Sequence, residues 1–402
     1  MKPIGRPVRT LVLTVHSAFP PISGADLRNY QNATGASQFG PVLLVSAGPL
    51  RESRPADGLV QLAALARKDE PRGASLNPWR SRAEARLPRD AAPRLQALVQ
   101  AFRPDTIIVE GIALSALIGP LRPLARSLIL DMHNVESVLA RDIYDMRLRE
   151  RLLPYRWTNR GRIRRLEHRA LKTVDRVWVC SEIERDRLAS LFDLTIPADV
   201  VPNGIPRTEA LPEHLPAIPG REEGWPVMLF VGNLEYPPNV TAAERLIERV
   251  LPRVKQALPA ARAIIAGRDP GSRIVRLASL PDVELVADPA SLSGLLRRSH
   301  VSVMPISAGG GTRFKTLEAM AWGLPVVATA IAAEGQGFVD GEEILIADTD
   351  EDLARQVISL CNQPDRMDLQ RRLAYENTRL RFSTEAIGRA IRRGLGQVDA
   401  DV

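Results

Sequence analysis

Between Met304 and Pro325 the chain reads M-P-I-S-A-G-G-G-T-R-F-K-T-L-E-A-M-A-W-G-L-P. An apolar run, Val301–Met304, meets three glycines, Gly309, Gly310 and Gly311, and then a helical stretch with Arg313, Lys315 and Glu318 in its first two turns. Glycine lets a backbone come close to a bulky anion, and the unsatisfied N–H groups at a helix start attract negative charge. Arginine and lysine there add charge-assisted hydrogen bonds worth ~1.5–3 kcal/mol each where water is excluded. A carboxylate at Glu318 would repel an anion, but it suits neighbouring hydroxyls such as those of a ribose. One reading is therefore a nucleoside-diphosphate site. The other is a tight turn between strand and helix, with Leu317, Met320 and Ala321 facing a core. The segment is not a Walker loop, because no G-K-[ST] closes it, and it is not G-x-G-x-x-G.

Polar residues recur where other apolar runs end. The first run leads into H-S-A-F-P-P-I-S-G-A-D-L-R-N, where Ser23 and Gly24 permit close backbone approach and Arg28 is expected to reach an anion. After Leu128–Leu130 comes D-M-H-N-V-E-S, which puts His133 and Asn134 past a strand. V-P-N-G-I places Asn203 and Gly204 in a turn, and L-F-V-G-N-L-E-Y-P-P-N places Gly232 and Asn233 after another strand. Each is weak alone, since a lone histidine at a strand end is more often a capping group. Polar loops repeated after successive strands are harder to obtain from packing alone.

The elements that would position these residues alternate short β-branched runs with helical stretches, the pattern of parallel α/β layers. Strands are expected at Thr10–Val15, Val42–Val45, Thr106–Glu110, Leu128–Asp131 and Arg176–Cys180. A later set is expected at Val227–Val231, Arg262–Ala266, Val283–Val286, Val301–Met304, Pro325–Ala328 and Ile344–Ile346. Ser181 with Glu184 forms a capping box, Pro238 and Asn239 open a helix, and Pro93–Phe102 is a further helix. Pro206 to Pro226 holds five prolines and no hydrophobic period, so 206–226 reads as a linker. It divides a first domain, 1–205, from a second, 227–380, followed by a C-terminal helix in 381–402 able to pack back on the first. Residues 50–100 are the least interpretable.

At 402 residues, two domains are the default. A hydrophobic content of 45% with 25% charged residues is that of a soluble globular protein. The apolar runs are strand-length, well short of the ~20 residues of a membrane span. Leu11–Val15 is too brief for a signal sequence and reads as the first strand. Cys180 and Cys361 have no C-x-x-C spacing, and the five histidines show no metal-ligand spacing. A reducing, cytoplasmic setting with no metal is the expectation. Residues 141–172 carry eleven Arg or Lys (Arg141, Arg147, Arg149, Arg151, Arg156, Arg160, Arg162, Arg164, Arg165, Arg169, Lys172) against four acids, which equals the net excess of +7. With Ile163, Leu166 and Ala170 at helical spacing, this is an amphipathic basic helix. It serves as a solvated face, a patch for anionic lipid headgroups or a nucleic-acid surface. Tyr155 and Trp157 near Leu152 and Leu153 favour the membrane over the other partner readings.

On these motifs the chain resembles the retaining glycosyltransferases of family 4, from H-S-A-F-P-P-I-S-G to about Asp352 and most specifically in G-G-T-R-x-K-x-L-E-A-M-A-x-G-x-P-V-V-A-T. The resemblance implies the GT-B architecture, two Rossmann-like doubly wound domains facing each other across a cleft. It implies that Glu318 binds the donor ribose, and that Arg313 and Lys315, with the N–H groups of Gly310, Gly311 and Thr312, hold the diphosphate. Gly24 beside Ser23 would approach the phosphates or the sugar, with Gly232 and Asn233 also on the donor side and His133 contacting the sugar. Arg28 and Asn134 would lie toward the acceptor. Two positions depart from the family. Gly310 stands where a glutamate is usual eight residues before Glu318, and Gly232-Asn233-Leu234-Glu235 stands where many members carry Arg and Lys.

The implied activity is transfer of a sugar, with retention, from a nucleoside-diphosphate-sugar to a glycan or lipid-linked glycan in envelope or exopolysaccharide synthesis. Family members are usually metal-independent, and no cofactor beyond the donor substrate is expected. A nucleotide-sugar epimerase and a non-catalytic nucleotide-sugar-binding subunit are the alternatives on the same fold. No nucleic acid is expected, since the basic patch lacks a recognised binding module. The location would be cytoplasmic or peripheral at the inner face of the plasma membrane. Asp348–Asp350 could suggest a metal-binding D-x-D, but better caps the helix containing Leu353.

Overall fold

The computed structural model describes residues 6–53, 60–67, 84–140, 155–221 and 224–397. The chain divides into two compact units, Met1–Asn203 with Thr384–Val402, and Gly204–Ser383. Arg141, Arg147, Arg149, Arg151, Leu152, Leu153 and the side chains of residues 155–159 lie outside what is described.

The first unit is a seven-stranded parallel sheet in the order β3-β2-β1-β4-β5-β6-β7. Its strands are β1 (Thr10–Thr14), β2 (Val42–Ser46), β3 (Val60–Ala64), β4 (Thr106–Glu110), β5 (Ser127–Met132), β6 (Arg176–Val179) and β7 (Ala198–Val200). Side chains alternate faces along each strand, so in-register neighbours share a face. Leu11, Leu13, Ile107, Val109, Leu128 and Leu130 build one core with Leu95 and Val99 of the helix Ala91–Phe102. Val12, Ile108, Ile129 and Trp178 build the other. That second face is covered by α1 (Gly24–Ser37) and by the C-terminal helix Thr384–Gly394, through Ala33, Ala36, Ile387 and Ile391. Gly394 lies so close to Trp178 that an added methyl would come within 2.6 Å of the indole nitrogen.

Strands β3 and β7 were not foreseen. Both are edge strands, and β7 is three residues long with every side chain partly exposed, so neither carries a buried apolar run. Ser181 caps α2 (Glu182–Leu191) by accepting from the Glu184 N–H, which is half of the expected capping box. The Glu184 carboxylate turns instead to the Val135 N–H and to Arg187.

The second unit is a six-stranded parallel sheet, β10-β9-β8-β11-β12-β13. The strands are β8 (Val227–Val231), β9 (Arg262–Gly267), β10 (Val283–Ala287), β11 (Val301–Met304), β12 (Val326–Ala328) and β13 (Leu345–Ile346). The helices that matter below are α3 (Pro237–Arg245), α4 (Phe314–Ala321), α5 (Asp350–Asn362) and α6 (Pro364–Arg381). Residues 206–226 lie within this unit: Arg371 donates to Pro216 O, Arg379 to Pro212 O, and Tyr375 leans on the same turn. Asp348–Asp350 serves helix starts. Thr349 caps α5 through the Asp352 N–H at 3.0 Å, Asp350 pairs with Arg245 at 2.8 Å, and Asp348 accepts from Ala330.

Each sheet runs outward in both directions from a central pair, β1 with β4 and β8 with β11. In such doubly wound sheets, ligands bind beyond the carboxyl ends of the strands where the winding reverses. The fold thus selects two places to look, the loops after β1 and β4 and those after β8 and β11.

Candidate active site

In the second unit, Gly232 follows β8 directly, and the loop after β11 carries Gly309, Gly310, Gly311 and Thr312 into α4. Gly309 and Gly311 have φ of 130° and 69°, a region that glycine enters without strain. Left-handed backbone at these two glycines is what the tight-turn reading expects. Arg313 is the N-cap residue of α4; its guanidinium folds back to the Gly310 carbonyl, and its own carbonyl accepts from Gln336 at 2.8 Å. A methyl at Gly309 would lie 2.8 Å from Arg313 Nη2, so the glycine makes room for the cation.

Lys315, on the first turn of α4, runs down toward β8. Its ammonium donates to Asn239 Oδ1 at 2.7 Å and sits 4.6 Å above the Phe230 ring. Burial, and secondarily the like charge of Arg313, push its pKa down to about 7. Among the described residues, no carboxylate lies within ion-pair distance of this amine. Buried beside the like charge of Arg313, the Lys315 amine is short of negative charge, which an arriving anion would supply. Asn233 is a turn residue: its Oδ1 accepts from the Glu235 N–H at 2.9 Å and its carbonyl accepts from Asn239 at 3.0 Å.

Glu318 is buried on the next turn, and burial raises its pKa. Arg207 opposes that rise, gripping both carboxylate oxygens, with Nε to Oε1 at 2.7 Å. Leu317 and Ala321 pack against Ile205 and Phe382, which fixes the face of α4 that presents Lys315 and Glu318.

In the first unit, Glu110 and Asp131 are in-register partners on β4 and β5, so their carboxylates stand side by side on the α1 face. Both are buried, and two adjacent carboxylates in a dry site cannot both remain charged without a cation. The fold supplies one cation. Arg28 donates to Asp131 at 2.7 and 2.6 Å and to Val201 O and Asn203 Oδ1 at 2.8 and 2.9 Å. Burial pushes the Asp131 pKa up, but Arg28 outweighs it and holds the group below its ordinary range. Glu110 goes the other way: burial, then the Asp131 charge, raise it well above 4.5, so it keeps its proton. Asn32 bridges both acids at 3.0 Å.

His133 closes this cluster, with Nε2 at 3.0 Å from Glu110 and 3.5 Å from Asp131. Its side chain is 20% exposed, and burial, resisted by Asp131, lowers its pKa, so the ring is neutral at pH 7. Glu110, Asp131 and His133 offer ligand atoms within 4.8 Å of one another, close enough for a cation. Arg28, however, already occupies both Asp131 oxygens, so the cluster is organised around a shared proton and a fixed guanidinium.

The expectation for Arg28 is thereby corrected. Its side chain is 2% exposed and committed to Asp131, so it braces the sheet and does not reach out to an anion. Ser23 caps α1, accepting from the Asp26 N–H at 3.2 Å, and Gly24 follows it, exposed, at the first helical position. Asn134 lies beside His133 with a buried Oδ1 that makes no hydrogen bond. Ser23, Gly24, His133 and Asn134 thus sit on the first unit, and Gly232, Asn233, Gly310, Gly311, Thr312, Arg313, Lys315 and Glu318 on the second. Sequence reasoning missed Glu110, Asn32, Asn239 and Arg207. Only Glu110, a charged residue ending an apolar strand, and Asn239, inside P-P-N, left a local trace.

A doubly wound sheet with anion-seeking groups at its reversal point, following another sheet of the same order, defines a two-domain GT-B protein. The model for the glycosyl transferase 4-like domain matches residues 41–204, and that for glycosyl transferases group 1 matches residues 225–363. The chain belongs to the group 1, family 4-type glycosyltransferases. A sucrose-phosphate synthase from Thermosynechococcus elongatus has the same fold, with a TM-score of 0.71 at 17% identity over 98% of this chain and 99% of that one. HepE of Anabaena, solved in complex with UDP, gives 0.65 at 15% identity over 97% of this chain and 100% of that one. An uncharacterised 44.6 kDa protein in the cps region of Klebsiella pneumoniae is 28% identical over 162 residues, 37% of this chain and 42% of that protein. Membership of this family favours sugar transfer over the epimerase and non-catalytic readings. Among the described residues, no helix is long and apolar enough to cross a membrane.

Proposed function

We propose that this protein transfers a sugar, with retention, from a nucleoside-diphosphate-sugar to a glycan or lipid-linked glycan. The observation that carries the reading is the placing of two cations, Arg313 and Lys315, at the start of α4 at the reversal point of the second sheet, with Lys315 buried beside that like charge. They neutralise the diphosphate as it leaves, a charge-stabilising role that a divalent ion fills in other transferases. Glu318, its carboxylate oriented by Arg207, receives the ribose hydroxyls. In a retaining transfer the acceptor hydroxyl attacks the face the diphosphate leaves, and a leaving phosphate oxygen can take its proton. The protein then contributes position and charge. On the first unit, His133, neutral and steadied by Glu110, offers a hydrogen bond to a substrate hydroxyl.

The relative in a cps region supports a polysaccharide or lipid-linked acceptor. So does the helix Tyr155–Leu171, which buries Ile163, Ala170 and Leu171 while exposing Arg160, Arg164, Arg165 and Arg169. A basic outer face of this kind suits the anionic inner face of a membrane. The decisive experiment is turnover of nucleotide-sugars by wild type and Arg313→Ala. A loss of at least about 100-fold in kcat/KM, ~2.7 kcal/mol of transition-state stabilisation, is expected. Near-wild-type turnover would overturn the assignment.

A further inference from the structure

The amine of Lys315 is enclosed in an unusual way. The Phe230 ring lies beneath it at 4.6 Å, and Asn239 accepts its hydrogen bond at 2.7 Å. A methyl at Gly232 would come within 3.1 Å of the same nitrogen, so the end of β8 walls a third side. The groups facing it are therefore an aromatic ring and a glycine backbone from β8 and an uncharged amide from α3. The charged neighbour that acts on it is Arg313, from its own segment and of the same sign. Asn239 is itself oriented: its Nδ2 donates to the Asn233 carbonyl at 3.0 Å, which turns Oδ1 to the lysine. Only an amide can serve both partners, since an aspartate could not donate to that carbonyl.

We propose that Asn239 is the positioning residue for Lys315, and that a nucleoside diphosphate enters this site together with a proton taken from solvent onto the lysine amine. This rests on the diphosphate reading of the site given above. With its pKa pushed down to about 7 by burial and the Arg313 charge, the amine is largely neutral at pH 8 before the ligand arrives, while Arg313 stays charged. The arriving phosphates supply the negative charge that an ammonium there needs. The amine lone pair takes a proton from water or buffer, giving three N–H donors. One stays on Asn239, and the others are available to phosphate oxygens. The complex then holds one more proton than its separated parts. Affinity is expected to fall about tenfold per pH unit once the pH exceeds the amine's own depressed pKa, and below that pKa the lysine is charged beforehand.

The test is calorimetric titration of the full chain with UDP, GDP, ADP and dTDP at pH 8, in HEPES and in Tris, whose ionisation heats differ. The difference in observed heat counts protons. Uptake of about one proton with the diphosphate that binds is expected, as is its loss in Lys315→Met. Asn239→Asp should charge the lysine beforehand, bringing uptake close to zero and weakening binding by about tenfold. A merely structural asparagine would not move the proton count. Binding by wild type without proton uptake, or uptake that persists in Lys315→Met, overturns the proposal and leaves the diphosphate site standing. Should Asn239→Asp fail to fold, the wild-type count and pH slope decide alone. No binding by any of the four overturns both.

Discussion

At the scale of single residues, the first unit places two acids where one charge is tolerated, and the consequences differ for each. Glu110 carries a proton, so glutamine copies its shape and its ability to donate. Glu110→Gln should change stability by less than about 1 kcal/mol at pH 5. The folded chain keeps on Glu110 a proton that the unfolded chain releases above its ordinary 4.5. Wild-type stability therefore falls as pH rises beyond that value, and the variant should gain on wild type between pH 5 and pH 8. Asp131→Asn is the opposite case, since it strands the buried Arg28 guanidinium and should cost about 3–5 kcal/mol. Denaturant unfolding of both variants at the two pH values checks the pair. Equal losses at all pH values would mean that the proton sits elsewhere.

The same cluster shows what a sequence conceals. Arg28 looked free to meet an anion because its partner Asp131 is 103 positions away, and only the β4–β5 register puts the two carboxylates together. Glu110 shows locally only as a charge ending an apolar strand, and its partnership with Asp131 is hidden for the same reason. The segment proposed for the diphosphate could be singled out because its glycines, cations and carboxylate are contiguous in the chain. Arg207 was hidden inside a proline-rich stretch with no hydrophobic period. That stretch packs on its own unit through hydrogen bonds from Arg371 and Arg379.

At the scale of elements, the second site depends on how closely the ends of β8 and β9 approach. A methyl on Gly267 would lie 1.7 Å from the Gly232 carbonyl oxygen, and backbone cannot step aside as a flexible side chain can. Gly267→Ala should cost about 1–3 kcal/mol in thermal unfolding. It should also weaken nucleoside-diphosphate binding, because Gly232 borders the Lys315 amine. Unchanged affinity would show that the β8 loop does not shape the pocket. The element pattern itself was largely readable. Central strands are continuous apolar runs because helices cover both faces, whereas the edge strands β3 and β7 are partly exposed and carry no such run.

At the scale of the whole molecule, the net charge of +7 is matched by the excess of one basic segment, part of which forms the exposed face of the helix Tyr155–Leu171. Replacing Arg162, Arg164 and Arg165 by serine should reduce sedimentation with anionic vesicles severalfold, and raised salt should do the same to wild type. Undiminished binding by the triple variant would place membrane contact elsewhere. Division into two α/β units was legible from the repeated alternation of strand and helix. The C-terminal helix packs on the first unit, as its place after the second domain allowed. The contacts that hold it there, Ile387 and Ile391 in that unit's core and Gly394 against Trp178, are tertiary.

On the proposed reading, the reversal point of the second sheet holds a nucleoside diphosphate between Arg313, Lys315 and Glu318. The most direct test of that reading is calorimetric titration with UDP, GDP, ADP and dTDP, with Glu318→Ala alongside. Selective binding of one diphosphate, weakened at least about tenfold in the variant, is the predicted result. Binding of none of the four, or equal affinity in wild type and variant, would contradict it.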